Sequence, residues 1–203
     1  SRGASNINSY RMTSYLGRLN YDYAGKYYVS GSFRRDGSSR LSRDSRWGNF
    51  WSVSGSWRLS QEAFMESLSN VITDAKIRAS YGVNGTQPKD YYGYMGVYEF
   101  GYNYNGNGGS SEARFYNPSL KWEKNYATNI GIDLTLFNRL TVSAEWYNRE
   151  TKDLLMDKPI SAAVGVINSS GVANMLVNVG SMRNRGFELE LKSTNIQNKD
   201  LLW

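Results

Sequence analysis

Apolar and polar residues alternate along most of this chain, most strictly between Asn125 and Arg149. Ile130, Ile132, Leu134 and Leu136 fall on one face, with Asn129, Gly131, Asp133 and Thr135 on the other. After Phe137-Asn138-Arg139 the alternation resumes: Leu140, Val142, Ala144 and Trp146 oppose Thr141, Ser143, Glu145 and Tyr147. Period two is the side-chain period of a β-strand, and so short a connection makes the pair a hairpin. A soluble sandwich would alternate in the same way, so length has to separate the environments. Each run exceeds the roughly 5–6 residues of an ordinary strand and approaches the roughly 9–11 that cross a bilayer at a tilt. Tyr126, Phe137 and Trp146 stand near the ends of the apolar faces, where a membrane barrel carries its aromatic girdles. The hairpin reads as transmembrane.

The same pattern predicts strands over Tyr15–Asp22, Tyr27–Arg34, Phe50–Leu59, Ala75–Val83 and Asn184–Lys192, with another opening at Leu201-Leu202-Trp203. Residues 1–9 read as a loop. Ser60–Thr73 can form a short amphipathic helix, capped by Ser60 and presenting Phe64, Met65 and Leu68 on one face. Gly85–Lys121 and Asp153–Gly180 read as long irregular segments. Connections then sort by parity. Asp22–Lys26, Phe137–Arg139 and Thr194–Asp200 are short, with Ser60–Thr73 an untidy fourth, and Asp36–Gly48, Gly85–Lys121 and Asp153–Gly180 are long. Outer-membrane barrels show this asymmetry between periplasmic turns and external loops. The expected fold is all-β: an antiparallel up-and-down transmembrane barrel.

Composition agrees and narrows the chemistry. Hydrophobic residues are 40% of the chain and aromatics 14%, with 16 Tyr, 6 Trp and 20 Gly, which suits strands, tight turns and a wet–dry boundary. No run of about 18 apolar residues predicts a membrane-spanning helix, which leaves a barrel open. The chain has no cysteine and no histidine. Disulfides, thiolate or imidazole metal sites and Ser-His-Asp or Cys-His chemistry are therefore not expected within it, and neither is a cofactor. The formal charge is +6. Half of that excess lies where Arg34, Arg35, Arg40, Arg43 and Arg46 face only Asp36 and Asp44, so it does not read as a nucleic-acid footprint. Ser1 follows no signal peptide and Trp203 breaks off a new apolar run, so the chain reads as a piece of a larger one.

Several strings resemble one family. They are Tyr23-Ala24-Gly25-Lys26-Tyr27-Tyr28-Val29-Ser30-Gly31-Ser32-Phe33-Arg34-Arg35-Asp36-Gly37-Ser38-Ser39-Arg40, Arg46-Trp47-Gly48-Asn49-Phe50-Trp51-Ser52-Val53-Ser54-Gly55-Ser56-Trp57-Arg58 and Arg78-Ala79-Ser80-Tyr81-Gly82-Val83-Asn84-Gly85. Further along come Asn117-Pro118-Ser119-Leu120-Lys121-Trp122-Glu123-Lys124, Tyr147-Asn148-Arg149-Glu150-Thr151-Lys152-Asp153-Leu154-Leu155 and Asn178-Val179-Gly180-Ser181-Met182-Arg183-Asn184-Arg185-Gly186-Phe187-Glu188. In this order they resemble the C-terminal half of the barrel of SusC/RagA-type TonB-dependent transporters of Bacteroidetes. The resemblance implies that the roughly eight strands here belong to a plugged outer-membrane barrel of about 22. Residues 1–203 would then be a partial barrel domain, with the plug and N-terminal strands outside it. It also implies active import of a glycan, oligosaccharide or peptide, TonB-ExbB-ExbD as energy source and a SusD-like surface lipoprotein as lid, with no enzyme activity. A passive porin-type barrel and a soluble all-β carbohydrate-binding module are the alternatives.

Two loops hold candidate sites. Arg35, Arg40, Arg43 and Arg46 could meet lipopolysaccharide phosphates or an anionic substrate, since the guanidinium fork suits phosphate; a solvated, internally paired loop is the plainer reading. Tyr91, Tyr92, Tyr94, Tyr98, Tyr102 and Tyr104 lie among Gly and Asn and could stack on sugar rings or peptide side chains. They could equally pack over the barrel mouth or against the lid protein. Gly106-Asn107-Gly108-Gly109 lacks the Lys-Ser/Thr of a phosphate loop. Asp133, Glu145, Glu188 and Glu190 should line the lumen and pair with Arg18, Arg58, Arg78 and Lys192 rather than act as acid–base catalysts. Trp51, Trp57 and Trp146 should face lipid.

Overall fold

A computed structural model describes residues 7–164 and 174–195, apart from the side chains of Tyr104 and Ala162. In chain order its strands are β1 (Met12–Tyr23), β2 (Tyr27–Ser38), β3 (Trp47–Arg58), β4 (Ile72–Thr86), β5 (Val97–Tyr104) and β6 (Asn107–Arg114). They continue as β7 (Glu123–Leu136), β8 (Leu140–Lys152), β9 (Leu155–Pro159), β10 (Asn174–Asn178) and β11 (Ser181–Ser193). Seven form one antiparallel sheet in the order β1-β2-β3-β4-β7-β8-β11. This is the up-and-down order expected, and the sheet does not close on itself. The expected strand at Leu201-Trp203 and most of the Thr194–Asp200 turn lie outside the described residues. No helix among them is long and apolar enough to cross a membrane.

The register turns separate alternations into continuous rows. On one face Tyr23, Tyr27, Trp57, Ile77, Ile132, Ala144 and Leu189 pair in succession across all seven strands. The next outward row is Tyr21, Val29, Gly55, Ala79, Ile130, Trp146 and Phe187. On the opposite face Asp22, Tyr28, Ser56, Arg78, Gly131, Glu145 and Glu188 align. Ile132 and Leu189 remain exposed, Leu189 by 68%, and no compact nucleus forms around them. The apolar band slants across the register. It takes in Phe33 and Trp51 near the long-loop end of β2 and β3, whereas Thr128, Asn148 and Arg185 already replace it on β7, β8 and β11. Strand tilt in a barrel requires that obliquity.

The two tight turns share one construction. Lys26 N–H donates to Tyr23 O and Arg139 N–H to Leu136 O, each at 3.0 Å. The first two loop residues are left-handed in both, Ala24 and Gly25 in one and Phe137 and Asn138 in the other. A bulky residue resists that conformation. Phe137 is held there from outside, its N–H donating to Val71 O at 2.9 Å while Asn138 N–H donates to Thr73 Oγ1 at 3.1 Å.

Three expectations are corrected. Gly85–Lys121 is not wholly irregular, since β5 and β6 form a hairpin within it. Asp153–Gly180 likewise contains β9 and β10, and these four strands make a second sheet in the order β5-β6-β10-β9. Ser60–Thr73 forms two short 3-10 turns, Leu59–Gln61 and Ala63–Leu68, rather than a helix, with no side-chain cap at either start. Ser60 Oγ instead donates to Asp74 Oδ1 at 2.7 Å. The linker is pulled flat against the outward face because Glu62 accepts from Tyr27 Oη at 2.7 Å, Trp57 Nε1 at 3.1 Å and Lys26 Nζ at 3.2 Å.

Those bonds, the one from Tyr27 foremost, hold the Glu62 carboxyl below its usual range. A depressed folded value means the clamp stabilises the fold above the unfolded carboxylate range and is lost as pH falls through the folded value. Proteolytic nicking of the 59–71 linker should therefore rise as pH drops below about 4.5. A Glu62→Gln variant should show that sensitivity already at neutral pH; equal cleavage of both proteins at all pH values would refute the clamp.

Candidate functional site

Hydrophobic burial is concentrated at one end of the sheet, where the long loops gather. Leu41, Phe50, Leu120, Trp122 and Leu176 form the cluster, with Tyr94 and Leu155 packed against it. Phe50 shares the inward parity of Ser52, Ser54 and Ser56 on β3, so its ring points into the lumen side and not to lipid. It meets Trp122 edge-on at 5.4 Å between centroids. A Cβ at Gly48 or Gly85 would collide with the same ring, so both glycines are floor for it.

Hydrogen bonds stitch the three long segments together over this floor. Trp122 Nε1 donates to Arg46 O at 3.0 Å and Ser42 Oγ to Pro118 O at 2.7 Å. Asn117 Nδ2 donates to Leu176 O at 2.7 Å, and Asn178 Nδ2 donates to Lys121 O and Asp153 O, each at 2.9 Å. A buried carbonyl left without a donor destabilises by about 1–3 kcal/mol, so Asn117 acts as a pin on Leu176 O, and Asn178 ties two further carbonyls at the more open edge of the layer. The Asn117–Lys124 string is thus the staple between external segments, a role its sequence did not disclose.

Below the mouth the inward wall is polar. Arg78 Nε lies 3.1 Å from Asp133 and its Nη1 pairs with Glu145, while Ser143 Oγ donates to Asp133 at 2.5 Å. The guanidinium fills the space a side chain at Gly131 would need. Ser30 pairs with Ser54 and Ser32 with Ser52, each at 2.7 Å. Ser30 and Ser54, together with Asn20, Lys76 and Asn129, edge a groove of about 420 Å³. Of the cations expected to pair with the lumen carboxylates, Arg78 does so; Arg58 pairs instead with Asp74 at 2.8 Å, and Arg18 donates to Asn20 at 3.2 Å. Glu188 and Glu190 stand exposed, with Glu188 directly opposite Glu145.

The candidate arginines separate. Arg40 is sandwiched between Tyr10 and Tyr91, 4.1 and 4.7 Å from their ring centres, and its Nη1 donates to Pro88 O at 3.0 Å. Arg46 is half-buried and serves through its carbonyl, which accepts from Ser38 N as well as Trp122. Arg35 lies over the Trp47 ring at 5.1 Å, and Arg43 is exposed. The tyrosines separate too. Tyr91 and Tyr94 belong to the packed mouth, while Tyr92 and Tyr98 face solvent. Tyr102 is half-buried, and burial together with its hydrogen bond to Glu99 at 3.2 Å pushes its phenol up. The side chain of Tyr104 is outside the described set. Phe100, 84% exposed on the same hairpin, was missed; the alternation Tyr98, Phe100, Tyr102 was the signal for it.

A family model described as "TonB dependent receptor-like, beta-barrel" matches residues 2–203. The TonB-dependent receptor P39 of Formosa agariphila is 37% identical over 196 residues, covering 96% of this chain and 18% of its own length. The TonB-dependent receptor SusC of Bacteroides thetaiotaomicron is 34% identical, covering 95% of this chain and 19% of its own length. Among solved structures, that of the RagAB peptide importer in its closed-closed state superposes with a TM-score of 0.81 at 32% identity, covering 94% of this chain and 20% of that one. This chain therefore spans about a fifth of the length of the relatives it matches. Two-faced strands, short turns at one end, a stitched loop layer at the other and these likenesses agree: the chain belongs to the TonB-dependent receptor β-barrel family of the outer membrane, as a SusC/RagA-type segment.

Proposed function

We propose that this segment is the C-terminal part of the barrel of an active importer that takes up an oligosaccharide or a peptide. The observation that carries the reading is the mouth layer. Its buried cluster sits on the inward face of the sheet and ties three external segments together, which supports a gated entrance more than an open pore. A SusD-like lipoprotein would cover the exposed rim around Tyr92, Tyr98 and Phe100, and TonB-ExbB-ExbD would act through parts of the protein beyond this segment. Tyr92 and Tyr98, which are exposed, would meet substrate beneath that lid; Tyr91, Tyr94 and Arg40 would shape the entrance. Arg35 and Arg43 would meet an anionic group of the substrate rather than lipid. The whole protein is proposed to transport rather than transform its substrate.

The test is uptake by cells carrying the intact transporter, with labelled oligosaccharides and labelled peptides offered separately, in the presence and absence of TonB. Uptake of one class that ceases without TonB is the expected result. Uptake surviving the loss of TonB would establish a passive porin instead, and a segment staying monodisperse without detergent would point to the soluble module.

A further inference from the structure

The outward face changes character abruptly at the external end of β7, β8 and β11. Ile130, Trp146 and Phe187 form the last apolar row there. Two residues further along each strand, on the same face, stand Thr128, Asn148 and Arg185; then Tyr126, Glu150 and Arg183; then Lys124, Lys152 and Ser181. Four cations thus share one patch with a single carboxylate, and the patch begins where lipid-facing side chains stop.

The pairing within it is unusual. Lys124 and Lys152 are direct cross-strand partners. Like charges set opposite each other in a sheet destabilise it unless something lies between them. Lys152 turns toward Glu150, at 3.6 Å, and toward the Tyr126 ring, at 5.3 Å, while Lys124 makes no ion pair among the described residues. Arg183 is held on the same face by donating from Nε to Asn148 Oδ1 at 2.6 Å. The sheet therefore presents four outward cations, short of anions, at the external end of its apolar face, with Lys152 and Arg183 held in place by their neighbours.

We propose that Lys124, Lys152, Arg183 and Arg185 bind the phosphate groups of the glycolipid in that leaflet. Two lysine ammoniums supply compact point charges and two arginines supply planar forks, the pair of chemistries that holds phosphate. The lipid's acyl chains would lie along Phe187, Trp146 and Ile130. Among the loop arginines Arg40 is enclosed by Tyr10 and Tyr91, Arg35 rests on Trp47 and Arg46 is half-buried, which leaves Arg43 as a single exposed guanidinium rather than an array. The proposal rests on this face meeting lipid, and does not depend on which nutrient is carried.

The test uses the intact transporter purified in detergent, with phosphorylated lipid A and its dephosphorylated form as probes and native mass spectrometry as readout. Wild-type protein should retain the phosphorylated lipid at least about tenfold better, since each basic group near an anionic surface contributes a few-fold. The pairs Lys124→Gln/Lys152→Gln and Arg183→Gln/Arg185→Gln should each lose about tenfold in retention. Arg35→Gln/Arg43→Gln should retain lipid as wild type does, and inorganic phosphate alone should not displace it. Heat-dependent gel migration establishes that each variant is folded, and the comparison of the two lipids on wild-type protein needs no variant. Equal retention of both lipids, displacement by inorganic phosphate, unchanged retention in both paired variants, or loss only in the Arg35/Arg43 variant would each overturn the proposal. TonB-dependent uptake can fail while this retention stands, so the two readings fail separately.

Discussion

Replacing Phe50 by alanine should unlock the mouth layer of the intact transporter while leaving the seven-strand sheet folded. Phe50 is 2% exposed and shares a cluster with Leu41, Leu120, Trp122 and Leu176, which come from three different external segments. Truncating a buried phenylalanine destabilises by about 3–5 kcal/mol, and the spread depends on how far the site collapses. Collapse is hindered here. The ring lies over Gly48 and Gly85, which have no side chains to move into the gap, and the strands beneath them are fixed by the ladder. The effect should therefore fall in the upper part of that range. It should be local, because the sheet's own hydrogen bonds do not pass through the ring. Protease should cut within the 36–48 and 87–122 segments in the variant and not in wild type, while heat-dependent gel migration of the barrel stays unchanged. Phe50→Leu should recover roughly half the loss, as it restores most of the volume. Intact external segments in Phe50→Ala would mean that the hydrogen bonds from Asn117, Asn178 and Trp122 hold the layer unaided.

That cluster also marks where sequence reading stops. The seven long strands were legible because alternation is a local property, and any stretch with one wet and one dry face must write it into every second residue. Their ends were not. The alternation of β2 and β3 dissolves into Arg, Asp and Gly after Arg34, yet the ladder runs on to Gly37 and Trp47, whose ring covers that glycine. The β5–β6 hairpin hid behind glycines, although its Asn105-Gly106 turn, with both residues left-handed, is a known hairpin signal. Strand parity puts Phe50 on the lumen side, but its partners Leu120 and Leu176 come from segments far along the chain, and no spacing rule reaches that distance. Charge told which loop was basic but not which guanidiniums would be enclosed. Arg40 is enclosed between Tyr10 and Tyr91, whereas the outward cations of β7, β8 and β11 come together only through the pairing of three strands.

The two faces of the sheet should respond in opposite ways to a new charge. Ile132 lies midway along the apolar stretch of β7, flanked on the same face by Ile77 of β4 and Ala144 of β8. An arginine on the lipid face of a membrane barrel destabilises by about 2–4 kcal/mol near the midplane, fading to about 0–1 kcal/mol at the interfaces. Ile132→Arg should reach that midplane figure, and Thr128→Arg, near the boundary with the cationic patch, should approach the interfacial one. Glu188→Lys tests the other face. Glu188 points inward and stands directly opposite Glu145, so a lysine there replaces a like-charge pair with an attractive one. Its effect should stay within about 0.5 kcal/mol of zero. Urea unfolding of the intact barrel in lipid vesicles measures all three. The ordering Ile132→Arg, Thr128→Arg, Glu188→Lys follows from which medium each side chain enters. A soluble core would keep that order but carry Ile132→Arg beyond the lipid-face range, because a charge would be buried among packed side chains, and vesicles would not alter the result.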